Sequence, residues 1–173
     1  VISEAFCLKM AESCDGLVLT GLPYFYAGAT ASTATYGSCF SVQRGCTFTM
    51  TGGTISGNTA RNGGGLITQT NSAFILNGGT ISKNTVTHGG GGAYISTNTS
   101  FQMNGGTISG NVAENGGAFY ALSSQVALNG GRIYGNTAGT GGAIRLEKKA
   151  VLTITGGEIK DEYTVTAVFG DKN

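Results

Sequence analysis

Apolar and polar residues alternate along this chain inside a motif that keeps returning. It reads FTMTGGTISGNTA from Phe48, FILNGGTISKNTV from Phe74, FQMNGGTISGNVA from Phe101 and VALNGGRIYGNTA from Val126, with a degenerate fifth form, LTITGGEIKDEYT, from Leu152. Phe48, Phe74, Phe101, Val126 and Leu152 share one position, and Met50, Leu76, Met103, Leu128 and Ile154 share the position two residues on. Alternation with a period of two predicts a half-buried strand. Two residues past each Gly pair stands an unbroken column, Ile55, Ile81, Ile108, Ile133 and Ile159. A third short apolar segment follows a second Gly cluster: Leu66-Ile67, Tyr94-Ile95, Phe119-Tyr120 and Ile144-Arg145-Leu146. The pattern leaves open which residues of this segment face inward.

The second glycines of the pairs, Gly53, Gly79, Gly106, Gly131 and Gly157, are separated by steps of 26, 27, 25 and 26 residues. That period is too short for a propeller blade and has neither the helical pattern of tetratricopeptide or ankyrin units nor the Leu spacing of leucine-rich repeats. It fits one coil of a parallel β-helix, with two or three short strands per coil and glycine at the corners. Each strand pairs with its equivalent one coil away, at ~4.8 Å, so like residues stack in columns. The expectation is an all-β chain: a single-stranded parallel β-helix (β-solenoid) of about five to six coils of 25–27 residues.

Composition then takes on a meaning. Of 173 residues, 31 are Gly and one is Pro, which excludes collagen because no Gly recurs at every third place. Only 11% are charged and the formal net charge is +1, so binding nucleic acid by phosphate neutralisation is not expected. No apolar run approaches the ~20 residues of a membrane-spanning helix.

Five residues past the Gly pairs stand Asn58, Asn84, Asn111 and Asn136, with Glu162 breaking the series. Stacked amides can bond one another as in cross-β ladders, so the column is expected to be structural; the alternative is that its amides bind glycan or metal. Ile55-Ser56-Gly57-Asn58, Ile81-Ser82-Lys83-Asn84, Ile108-Ser109-Gly110-Asn111 and Ile133-Tyr134-Gly135-Asn136 resemble the FxxN motif with Ile in place of Phe. Gly141-Gly142-Ala143-Ile144 reproduces GGAI, and Gly116-Gly117-Ala118-Phe119 nearly does. Together these motifs resemble the repeats of chlamydial polymorphic outer-membrane proteins. The GGTISGNTA wording is similar to repeats in surface proteins of gut bacteria and in pectin-lyase-like adhesins. The resemblance covers about Gly37 to Glu162. It implies a right-handed β-helix on a surface or secreted protein, often in adhesion. The β-barrel that such proteins can carry has no counterpart here, so no membrane span is expected.

The ends depart from the repeat. Residues 1–36 read as a cap or degenerate first coil, with a short amphipathic helix over Val1–Ser13, a degenerate strand at Leu17-Val18-Leu19 and an inserted loop from Pro23 to Tyr36. The alternative is that this segment docks on another subunit. Residues 37–163 form the repeats, and 164–173 (with TVTAVF from Thr164) a terminal strand and tail of the same domain. All four cysteines, Cys7, Cys14, Cys39 and Cys46, fall in about the first quarter of the chain. The natural pairing among three is Cys7–Cys14 with Cys39–Cys46, where Cys39 and Cys46 align with Ala143 and Ala150 of the last full coil. Disulfides fit an extracellular location; a four-Cys zinc site is the weaker alternative, since closely spaced pairs are absent.

Chemistry is sparse. Enzymes on this fold use clustered carboxylates with Arg, Lys or His, whereas Glu114 is the only carboxylate between residues 16 and 146, and the single His, His88, has none beside it in sequence. No catalytic residues, metal or cofactor are expected. Thr54/Ser56, Thr80/Ser82 and Thr107/Ser109 form hydroxyl columns of the kind that bind ice, but the series fails at Arg132/Tyr134 and Glu158/Lys160. Asn98-Thr99-Ser100 is the one N-glycosylation sequon. The expected function is a non-enzymatic, extracellular structural protein that associates head to tail with itself into a fibre or surface layer. The alternatives are an adhesin that binds glycan, host surface or other surface proteins and, less favoured, a carbohydrate-active β-helix enzyme.

Overall fold

The structure is a computed structural model that describes residues 8–9, 17–19, 40–140, 142–161 and 165–168, with only the backbone placed at 8–9, 17–19 and 165–168. It is all-β, with no helix among the described residues, and the chain winds as a parallel β-solenoid of about five turns. Each of the first four coils contributes one strand to each of four sheets, where two or three strands per coil were expected. Face 1 holds Phe40–Val42, Leu66–Thr68, Ala93–Ile95, Phe119–Leu122 and Ile144–Glu147, with Leu8–Lys9 and Val165–Val168 at its two ends. Face 2 runs from Leu17–Leu19 through Thr47–Met50, Ala73–Leu76, Ser100–Met103 and Gln125–Leu128 to Val151–Ile154. Face 3 stacks Thr54–Ser56, Thr80–Ser82, Thr107–Ser109, Arg132–Tyr134 and Glu158–Lys160. Face 4 stacks Thr59–Asn62, Thr85–Gly89, Val112–Asn115 and Thr137–Thr140.

The register follows the repeat residue for residue: Phe48 lies opposite Phe74, Phe74 opposite Phe101, Phe101 opposite Val126 and Val126 opposite Leu152. Inward side chains therefore pack like on like. Phe48, Phe74 and Phe101 stack nearly parallel at 5.5 and 5.0 Å between ring centroids, and Phe40 continues the stack onto Phe48 at 5.3 Å. Such pairs add to the burial of their area. Ile55, Ile81, Ile108 and Ile133 close the core from face 3. Face 1 resolves the open orientation: Leu66, Ala93, Phe119 and Ile144 point into the core, as do Ile95, Ala121 and Leu146. Face 4 escaped the sequence reading because its inward residues are small. Ala60, Val86 and Ala113 form a minor core of their own, and so little side chain carries a weak hydrophobic signal.

Two glycine positions explain the repeated pair. The second glycine, at Gly53, Gly79, Gly106, Gly131 and Gly157, has φ between 77° and 91°, a region that L side chains avoid. The first glycine is required by stacking. A Cβ at Gly105, Gly130 or Gly156 would lie 2.4 Å from the carbonyl oxygen of Asn77, Asn104 or Asn129 one coil below.

At the amino-terminal end, Leu8–Lys9 is a strand paired parallel to Phe40–Ser41, not part of a helix. A strand edge of face 1 competes for these residues, and its ladder bonds prevail over local helical propensity. Leu17–Leu19 forms the expected strand, opposite Phe48–Met50. The rest of the expected helix, the loop over 23–36, Cys7, Cys14, Cys39 and Glu162 lie outside the described residues. Cys46 occupies a buried position in the core, equivalent to Ser72 and Thr99 in later coils.

Candidate functional site

Five features of the solenoid stand out. The first is the inner Asn column. Asn58 donates through its backbone N–H and through Nδ2 to Asn84 Oδ1, at 3.0 and 2.7 Å. Asn84 does the same to Asn111 Oδ1, at 3.0 and 2.9 Å, and Asn111 to Asn136 Oδ1, at 3.1 and 2.9 Å. Each Nδ2 of Asn84, Asn111 and Asn136 also reaches back to the carbonyl of Ile55, Ile81 or Ile108. The column is buried throughout and saturated by the fold's own groups. Its last rung is Asp161, not Glu162: Asp161 Oδ1 and Oδ2 accept from the Asn136 backbone N–H and Nδ2, at 3.0 and 3.2 Å. The fifth coil is one residue shorter here, which shifts the slot, and a carboxylate can receive this ladder although it has no amide to pass on.

A second amide ladder was missed. On the outside, Asn104 Nδ2 donates to Asn77 Oδ1 at 2.7 Å, Asn129 Nδ2 to Asn104 Oδ1 at 2.9 Å, and the Thr155 hydroxyl to Asn129 Oδ1 at 2.7 Å. Gln102 Nε2 adds a bond to Asn104 Oδ1 at 2.9 Å. The sequence carries its signal: Asn77, Asn104 and Asn129 each stand just before a Gly pair, with Thr51 and Thr155 in the same place in the first and last repeats.

Titratable groups meet where face 4 turns into face 1. His88 Nδ1 stands 3.8 Å from Glu114 Oε2, with both side chains about half or more exposed. The two are 26 positions apart, one coil, which is why no carboxylate stood beside His88 in the linear sequence. Tyr94 and Tyr120 stack at 4.9 Å. The Tyr120 hydroxyl donates to Glu147 Oε2 at 2.5 Å, and Arg145 holds Glu147 Oε1 through Nε at 2.8 Å and its terminal nitrogen at 2.7 Å. Burial pushes the Tyr120 phenol far above its ordinary value, and the bond to Glu147 adds to that. Burial also acts to raise the Glu147 carboxyl, but the Tyr120 hydroxyl and the Arg145 guanidinium hold it below the ordinary carboxylate value. The result is a neutral phenol and an ionised carboxylate across the neutral range, which braces the fourth coil against the fifth. General acid catalysis needs the opposite shift on a carboxyl. Among the described residues, no three His, Cys, Asp or Glu stand together as a metal site, and no helix is long and apolar enough to cross a membrane.

The remaining features are a groove and an open end. Along the corner between faces 1 and 2 runs a shallow groove of about 500 Å³, lined by Asn71, Asn98, Ser100, Ser123, Gln125 and their neighbours, all uncharged. Asn98, the sequon residue, sits exposed on its rim with φ of 55°. At the last coil the inward apolar column is open. Ile154 is 54% exposed, whereas Met50, Leu76, Met103 and Leu128 in the same column are at most 2% exposed. The hydroxyl columns of face 3 stack as expected, Thr54 with Thr80 and Thr107, and Ser56 with Ser82 and Ser109. In the last two coils ion pairs replace them: Arg132 lies 3.4 Å and Lys160 2.6 Å from Glu158. Compared with known proteins, the chain matches no family model, no curated protein and no solved structure, so its kinship is stated at the level of the fold, a parallel β-solenoid of repeated coils.

Proposed function

We propose that this chain is a non-enzymatic structural module, extracellular or on a cell surface, that associates with further copies of itself through the ends of its solenoid. The observation that carries the reading is Ile154, in the column of inward-facing residues yet 54% exposed, with no coil stacked on it among the described residues. Leu152 and Ile159 beside it are only partly buried, unlike their equivalents in earlier coils. Parallel strand edges and apolar columns of this kind template the addition of another coil. The fitting occupant is a second copy, because Leu17–Leu19 at the opposite end of face 2 belongs to the same register column as Val151–Ile154. A heterologous contact that does not close gives a filament. The surface location rests on the resemblance to surface-protein repeats and on the proposed Cys7–Cys14 and Cys39–Cys46 bridges.

Light scattering across a wide concentration range and electron microscopy test this. Mass that grows with concentration, fibres, and loss of both in Ile154→Asp support it; monodisperse monomers throughout overturn it. One observation favours a second reading, an adhesin face that binds neutral glycan: the corner groove offers amides and hydroxyls without a single ionisable group among its lining residues. Glycan-array binding that is lost in Gln125→Ala would sustain that reading.

A further inference from the structure

Five Asn residues precede a glycine: Asn62, Asn77, Asn104, Asn115 and Asn129. Asn–Gly is the pair in which a backbone nitrogen most readily attacks the neighbouring side-chain amide, since glycine has no Cβ to obstruct the approach. By sequence all five are equal, and by exposure Asn77, Asn104 and Asn129 come first, because they stand on the surface while Asn115 is half-buried and Asn62 buried. The hydrogen-bonding pattern reverses that order.

The three surface residues are locked. Each Asn77, Asn104 and Asn129 side-chain oxygen accepts a bond from the next coil, and the Asn104 and Asn129 amide nitrogens donate to the coil before. The following glycine nitrogens, at Gly78, Gly105 and Gly130, all donate to the carbonyls of Met50, Leu76 and Met103. Asn115 has no such ladder. The Gly116 nitrogen is bonded like the others, to the Thr140 carbonyl at 3.0 Å; what differs is the Asn115 side chain, whose one bond among the described residues runs from Nδ2 to the His88 carbonyl at 3.5 Å, the outer limit of a hydrogen bond.

We infer that Asn115–Gly116 is the site of spontaneous deamidation in the folded protein, and that the outer amide ladder protects Asn77, Asn104 and Asn129. In this reaction the Gly116 nitrogen gives its proton to solvent base and attacks Asn115 Cγ. The Cγ–Nδ2 bond breaks, and Nδ2 takes a proton from water and leaves as ammonia. Water then opens the cyclic imide at one of its two carbonyls, which leaves aspartate or isoaspartate at position 115. The product places a new carboxylate beside Glu114, next to the His88 pair.

The test is incubation of the folded protein at mildly alkaline pH, followed by peptide mass spectrometry and isoaspartate detection. Conversion at Asn115 is expected to exceed that at each of Asn77, Asn104 and Asn129 by at least about fivefold, since each ladder bond that must break is worth about one such factor. In urea the four sites should converge, which shows that the fold and not the local sequence sets the order. A Gln102→Ala, Asn129→Ala double variant removes both donors to Asn104 and should bring Asn104 up toward the Asn115 rate. Conversion of the ladder residues as fast as Asn115 in the folded protein, or no conversion at Asn115, overturns the inference.

Discussion

The two amide ladders are made of the same residue at the same coil spacing, yet they do different work. In the inner ladder each Asn backbone N–H has no ladder carbonyl to bond and donates instead to the side chain of the next coil. In the outer ladder the backbone N–H groups of Asn77, Asn104 and Asn129 already reach the carbonyls of Met50, Leu76 and Met103, at 2.8 Å each. Only the side chains bond one another there, and water can take their place. The polarities differ as well. Inner amides donate toward the carboxyl-terminal coils, outer amides toward the amino-terminal ones. The lesson is that a repeated residue is essential where it completes the backbone and dispensable where it adorns it. The chain itself shows this tolerance, since Thr155 stands in for Asn on the outside.

The comparison can be broken most directly at Asn111. Asn111→Ala removes the acceptor of the Asn84 backbone N–H and of its Nδ2; the N–H is then buried unpaired, and Nδ2 keeps only the Ile55 carbonyl. We expect a loss of about 3 kcal/mol in urea unfolding; a loss below that of the outer-ladder variant would refute the distinction. Next comes the corner that carries the outer ladder. Gly105→Ala sets a Cβ 2.4 Å from the Asn77 carbonyl oxygen, and the resulting strain should cost about 2 kcal/mol, read as a lower Tm by circular dichroism. The brace between the fourth and fifth coils should show itself through pH. Glu147 titrates lower in the folded protein than unfolded, so it stabilises above its unfolded value near 4.5, and that contribution is lost as pH falls through the folded value. Wild type should therefore lose its advantage over Glu147→Gln on acidification; a pH-independent gap between the two in thermal melts would contradict the pairing. The smallest effect belongs to Asn104→Ala, about 1 kcal/mol, because its partners are exposed and water recovers most of what they lose.

Much of this was legible in the sequence. The Gly-pair period located every coil, and the Phe, Ile and Asn columns fell where stacking puts them, because in a solenoid the neighbour in space is the residue one period away. The misses share a cause. Face 4 hid behind small Ala60, Val86 and Ala113; Asp161 was passed over because a shortened coil moved the slot by one residue; and His88 looked isolated because Glu114 lies a coil away.

The sequence alone thus determined the repeat, its register and its inner columns, since these follow from periodicity and the burial of apolar side chains. Only the tertiary structure decided which Asn bonds carry the backbone and which titratable groups meet across coils. Each of these depends on distances between coils, and a one-dimensional pattern does not contain them.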